Sequence, residues 1–191
     1  MIVKVPGKLF IAGEYAVLEP GMKAIVIAVN RYVTSTIRKG EGNWLSLPQI
    51  GFPKVAWTWQ GEKLIFQEED PKLDFAKSAL ETAFQFLKEQ GVEPQGISIS
   101  VKSALDDRSG KKYGLGSSAA VVVSIIAGLL YFYQNQIASF RKEEIYKLAA
   151  IAHYKTQGNG SCADIAASVY GGWISYSSFD PDWLIAELTK E

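Results

Sequence analysis

The sequence predicts an α+β fold in which helices pack on one side of a mostly antiparallel or mixed sheet. Three observations carry that reading. Segments rich in β-branched residues crowd the first third of the chain. Helical periodicity begins at Lys72. A later segment, "YGLGSSAAVVVSIIAGLLYFY", is apolar on every side of a helix. Strands first and helices later is the α+β order.

Each element has its own signal. "IVKV" and "AIVIAVNRYVTSTI" read as strands, and "NWLSL", "KVAWTW" and "KLIFQ" as shorter ones separated by Gly and Pro. From Lys72, the residues Leu73, Ala76, Leu80, Ala83, Phe84 and Leu87 form one helical stripe, which Gly91 stops. "GISISVK" is a further strand, and "SALDDRSGKKYGLG" a polar loop. The apolar segment then runs as the central buried helix. Ser139 is expected to cap another helix, with Glu143 and Glu144 at its positive end, running to about Tyr154. "QGNGSCADIAAS" is a loop entering a short helix, and "GGWISYSSF" a strand. "DPDWLIAELTKE" reads as a helix opened by Asp180 and Pro181.

Composition bounds the function. A chain of 191 residues, 48% hydrophobic and 21% charged, has the makeup of a globular protein with a sizeable core. Lys plus Arg equal Asp plus Glu at 20 each, which argues against broad nucleic-acid binding. The one cysteine, Cys162, excludes an internal disulfide and fits a reducing compartment. The N-terminus lacks the basic and apolar regions of a signal peptide. The longest apolar run, which contains Ser124 and Gly128, falls short of the roughly 20 residues of a membrane span. The expectation is a soluble, cytoplasmic protein without nucleic-acid or membrane partners.

The chemistry concentrates where the apolar helix begins. Gly114 and Gly116 permit positive φ and close approach of a ligand to the backbone. The helix start offers free N–H groups and a positive dipole end, and the combination suits phosphate. Ser117 and Ser118 add hydroxyls, and Lys111 and Lys112 add charge before the turn. The bland alternative is a helix start with a serine cap and glycines for the turn. The segment is not a P-loop, because Ser117 rather than Lys follows Gly116. Nor is it a dinucleotide fingerprint: a charged loop precedes it, and Ser139 stands where an acid is wanted.

"GLGSSAAV" resembles the phosphate-binding motif of the GHMP kinase superfamily. "PGKLFIAGEYAVLEPG" is similar to that family's N-terminal motif, and "GNGSCADIAASVYGG" to the segment carrying its catalytic aspartate. The three occur in the family's order. With Tyr15 in "GEYAVLEPG", where sugar and mevalonate kinases usually carry histidine, the chain is most similar to bacterial phosphomevalonate kinases. The resemblance implies the family's N-terminal, nucleotide-binding domain over residues 1–191, with the longer members' C-terminal domain absent. It implies an ATP- and Mg²⁺-dependent phosphotransferase that converts (R)-5-phosphomevalonate to 5-diphosphomevalonate, on the mevalonate route to isoprenoids. Mevalonate kinase or another GHMP small-molecule kinase is the alternative, and a nucleotide-binding module without turnover is the alternative of another class.

The resemblance also distributes roles. Lys112, Gly114, Leu115, Gly116, Ser117, Ser118 and Ala119 bind ATP, and Ser118 also contacts Mg²⁺. The family's second magnesium ligand is a glutamate on the helix before the aspartate loop. Here that stretch reads "IAHYKTQ", without an acid. Lys8 neutralises charge on the oxygens in transit, and Asp164 orients Lys8 or acts as base. Lys8 is pictured leaving a strand beside a Pro6–Gly7 turn. The acceptor is itself a phosphate, ionised near neutral pH because its second pKa is about 6, so a strong general base is less necessary. Asn159, Gly160 and Ser161 can donate hydrogen bonds to substrate. Glu14 and Tyr15 can line its pocket, although Tyr15 also reads as a half-buried strand aromatic. His153, the only histidine, reads as a packing or surface residue, and Cys162 as a small buried one. Trp44, Trp57 and Trp59 read as sheet packing rather than an adenine wall. Arg108, Lys111 and Lys112 form a basic loop, either a solvated surface or a contact for a doubly anionic substrate.

Overall fold

The computed structural model describes residues 1–61, 63–94, 96–105 and 113–179. Its sheet is organised around one long strand. β1 (Ile2–Ala12) pairs antiparallel with β2 (Lys23–Lys39), which is rich in the Val, Ile and Thr that suit a pleated, half-buried surface. The other edge of β2 is shared. β6 (Ile97–Ser103) pairs with residues 33–39, and β7 (Trp173–Ser177) with residues 23–27, both antiparallel. Beyond β6 lie β3 (Trp44–Leu47), β4 (Phe52–Gln60) and β5 (Lys63–Phe66), giving the order β1-β2-β6-β3-β4-β5. The β3–β6 pair is parallel and the sheet is therefore mixed.

Among the described residues four helices cover one side: α1 (Asp74–Glu89), α2 (Ser117–Phe132), α3 (Lys142–Gln157) and α4 (Ala163–Tyr170). Helix α2 lies on β1, β2 and β6 and is flanked by α1, α3 and α4, so it is buried on every face, as its composition predicts. Each of its fully buried Val, Ile and Leu side chains contributes about 1.5–3 kcal/mol of burial energy. Close packing on β2 needs Gly128, where a Cβ would lie 2.7 Å from Ile37 Cδ1. The polar break in the helix is satisfied internally. Ser124 donates to the Val121 carbonyl (2.9 Å) and so accepts from Ser35 of β2 (2.6 Å).

The strand and helix readings hold within the described residues, with three corrections. Pro6 and Gly7 form no turn. β1 runs straight through them, and the register shifts between Pro6 and Lys8, so the pair sits at a bulge. β1 ends the strand order, an edge position that tolerates the missing proline N–H. Secondly, α3 starts at Lys142, not near Ser139. Glu144 reaches back to accept from the Arg141 N–H (2.8 Å), and that reach fixes the start. The helix continues to Gln157, where Gly158 takes φ 76°. Thirdly, Tyr15 is not a strand residue. It precedes a 3₁₀ turn (Ala16–Leu18) and is 82% exposed.

The expected helix from Asp180, the basic loop of Arg108 and Lys111, and Lys112 lie outside the described residues. Trp57 is buried edge-on to Phe66, and Trp59 stands edge-on to Phe84, which is sheet packing. Among the described residues no helix is long and apolar enough to cross a membrane.

Candidate active site

The start of α2 has the backbone features that suit an anion, a glycine turn leading into free helix amides. Gly116 caps it in the left-handed region (φ 73°, ψ 43°), and Gly114 also has positive φ (74°). The first intrahelical bond runs from the Ala120 N–H to the Gly116 carbonyl, so the amides of Ser117, Ser118 and Ala119 precede the helical ladder. Among the described residues no side chain caps this end. The Leu115 carbonyl is engaged elsewhere, accepting from the Lys8 N–H of β1 at 2.9 Å. That bond ties the turn to the strand carrying Lys8. Gly7 lets it form closely, because a Cβ there would sit 2.7 Å from the same carbonyl oxygen.

Beside the cradle opens a cleft of about 220 Å³. Lys8 and Asp164 line it together with Glu14 and Tyr15, and so do Asn159, Gly160 and Ser161. Residues 114–119 border this cleft rather than wall it, and Gly116 is the junction. A Cβ on Gly116 would lie 3.0 Å from Lys8 Cγ and 3.6 Å from Asp164 Cβ. Two residues 156 positions apart in sequence therefore meet at the mouth of α2. The Lys8 ammonium rests over the Phe10 ring, 4.7 Å from its centroid. Among the described residues no ion pair within 4.0 Å joins it to Asp164.

Asp164 is held by its loop. It occupies the first turn of α4, whose N-cap Cys162 adopts φ 59°, a left-handed conformation unusual for a residue with a side chain. Hydrogen bonds brace that turn and its helix. The Tyr176 hydroxyl of β7 donates to the Ser161 carbonyl, and accepts from the Tyr146 hydroxyl of α3 at 2.8 Å. Ser168 of α4 donates to the Pro6 carbonyl of β1 (3.0 Å). Burial pushes the Tyr146 phenol up to about 12, against the opposing pull of its bond to Tyr176. Burial, then the nearby Tyr146, drives Tyr176 up too. Both phenols stay protonated and serve as struts. Burial, helped by Asp164, likewise raises the Cys162 thiol to about 12, so this cysteine is no nucleophile near neutral pH.

Sequence reasoning missed Phe10, Leu18, His153 and Gln157, which also line the cleft. Phe10 was accessible to it, since alternate strand residues share a face with Lys8. His153 was not. It is 2% exposed on α3, and its Nε2 lies 3.3 Å from Ser118 Oγ at the head of α2. Burial lowers its pKa, while Asp164 pulls the other way.

Among the described residues no group of three His, Cys, Asp or Glu side chains could hold a metal ion. The Ser118 hydroxyl beside free helix amides suits a different arrangement. Mg²⁺ in nucleotide sites keeps several waters and is ligated largely by the substrate's phosphate oxygens, so few protein ligands are required of such a site.

Comparison with known proteins gives the family and the fold. The family model described as GHMP kinases N terminal domain matches residues 74–172. The phosphomevalonate kinase of Streptomyces sp. (strain CL190) is 36% identical over 186 residues, covering 92% of this chain and 49% of that protein. A crystal structure of the Lin0012 protein from Listeria innocua superimposes with a TM-score of 0.90 at 42% identity, over 100% of this chain and 52% of that one. Streptococcus pneumoniae phosphomevalonate kinase in complex with phosphomevalonate and AMPPNP gives 0.84 at 27% identity, over 100% of this chain and 54% of that one. The chain spans about half the length of the relatives it matches.

Proposed function

The chain belongs to the GHMP kinases, and from that premise we propose that it supplies the nucleotide-binding half of an ATP-dependent kinase acting on 5-phosphomevalonate. One observation carries the reading: Gly116 joins the α2 cradle to Lys8 and Asp164, so phosphate donors and a lysine–aspartate pair meet at one point. The similarity to phosphomevalonate kinases supports the choice of acceptor.

In this reading the triphosphate lies against the amides of Ser117, Ser118 and Ala119, with the α2 dipole favouring its charge. The acceptor phosphate enters the cleft among Glu14, Tyr15, Asn159, Gly160 and Ser161. Its attacking oxygen is already ionised near pH 7, so positioning and charge neutralisation dominate over proton removal. Lys8 moves from Phe10 onto the transferring oxygens, where a fixed cation is worth more than in water. Asp164, braced by the Tyr176 strut, sets the direction of Lys8 without entering the cradle. Mg²⁺, held by phosphate oxygens, water and Ser118, would supply further neutralisation of the triphosphate.

The test is a coupled ADP-release assay with 5-phosphomevalonate, mevalonate and galactose, on this chain and on any longer form of it. Preference for 5-phosphomevalonate is expected. Preference for mevalonate moves the protein to the neighbouring kinase. Nucleotide binding without release of ADP from any form makes it a binding module.

A further inference from the structure

His153 is a buried polar side chain that the proposed reaction leaves unused. It sits on α3 with its ring tilted 31° against Phe75 of α1, the centroids 4.9 Å apart. Phenylalanine would fill that space equally well by shape. What distinguishes histidine is the ring nitrogen, and Nε2 points at Ser118 Oγ, 3.3 Å away. Among the described residues this is the hydrogen-bond partner of the Ser118 hydroxyl. The contact joins two elements 35 residues apart in sequence at the mouth of the phosphate cradle.

We propose that His153 is a positioning residue for Ser118, its Nε2 accepting the hydroxyl proton so that the lone pairs of Oγ are presented to the cation and phosphates. A neutral imidazole has one donor and one acceptor nitrogen. With the proton on Nδ1, Nε2 takes the serine proton and both Oγ lone pairs stay free. With the proton on Nε2, the ring would instead occupy one lone pair and leave the hydroxyl proton directed toward the ligand side. The first arrangement makes Ser118 the better cation ligand, because both lone pairs face the ligand side. The inference rests on the reading of Ser118 as a cation ligand, and it gives that reading an outer support of the kind that orients metal ligands elsewhere.

The experiment uses the chain, a non-hydrolysable ATP analogue and Mg²⁺. Analogue affinity is titrated across magnesium concentrations for wild type, His153→Phe, His153→Gln, Ser118→Ala and the double variant His153→Phe/Ser118→Ala. Phenylalanine keeps the ring stacking and removes the nitrogen; glutamine keeps a polar atom near the Nε2 position. His153→Phe should weaken magnesium-dependent affinity about 10-fold, His153→Gln should recover most of it, and the double variant should bind no worse than Ser118→Ala. An equal loss from His153→Phe with and without the Ser118 hydroxyl overturns the proposal while leaving Ser118 its role. Wild-type magnesium dependence in Ser118→Ala overturns the cation-ligand reading and the proposal with it. A second measurement does not depend on variant folding. The chain has one histidine, so the imidazole ¹⁵N shifts of the wild-type protein report its tautomer without assignment ambiguity. A proton on Nδ1 is the expected result, and a proton on Nε2 refutes the proposal.

Discussion

Replacing Gly116 by valine tests the cradle at its tightest point. Gly116 has φ 73°, where a β-branched residue is a true outlier, and such strain costs on the order of 1–3 kcal/mol. The new Cβ would also press on Lys8 Cγ at 3.0 Å, although the lysine stem can yield. The strain has two outlets. If the turn relaxes out of the left-handed region, the amides of residues 117–119 lose their aim, and nucleotide binding must restore it. At 1.4 kcal/mol per tenfold, affinity then falls roughly 5- to 150-fold. If the turn stays, folding absorbs the strain, and Tm falls by about 2–4 °C per kcal/mol for a chain of this size. Calorimetric titration with an ATP analogue and a thermal melt together capture both outlets. A Gly116→Val protein with wild-type affinity and wild-type Tm would refute the argument that this backbone is specialised for an anion.

Other outcomes follow from the same geometry. Lys8→Ala should lower turnover in the active form about 10²-fold or more while ATP affinity changes little, and Asp164→Asn should behave alike. Steady-state kinetics of the double variant should show much less than the product of the two losses, because the pair acts as a unit. Tyr176→Phe removes the donor to the Ser161 carbonyl and strands the Tyr146 hydroxyl, so stability should fall by about 1–3 kcal/mol in a denaturant melt. The chain should also lose stability in alkali. An unfolded thiol ionises near 9.0 and an unfolded phenol near 10.0, whereas Cys162 and Tyr146 hold their protons to about 12 in the fold. The unfolded state therefore binds fewer protons across that window, and stability must fall as pH rises through it. Melts from pH 8 to 11 check the slope, and Cys162→Ser should remove the part that begins near pH 9.

What the sequence revealed, and what it hid, has a physical pattern. Helix α2 was legible because burial on every face demands an apolar residue at nearly every position, and β2 because its β-branched run has few other uses. The glycine–serine turn was legible because positive φ and free amides need those residue types. The bulge at Pro6–Gly7 was hidden, since proline and glycine signal turns locally and only the edge position of β1 makes them tolerable in a strand. The start of α3 was hidden because a serine is the better cap by type, while the deciding bond comes from Glu144 reaching back to Arg141. Lys8 and Asp164 could be proposed as partners only through resemblance. Their meeting at Gly116 depends on β1, β2 and α4 stacking, which no local pattern encodes. His153 was hidden for the same reason. Its partner lies on another helix, and spacing along α3 cannot point to it.

The most direct measurement of the central claim is a crystal structure of the chain with Mg²⁺, a non-hydrolysable ATP analogue and 5-phosphomevalonate. The account predicts the β- and γ-phosphates within hydrogen-bonding distance of the amides of Ser117, Ser118 and Ala119. It also predicts the Lys8 ammonium drawn off Phe10 onto the γ-phosphate, with Asp164 beside it. A triphosphate bound away from the start of α2, or a γ-phosphate beyond the reach of Lys8, would contradict it.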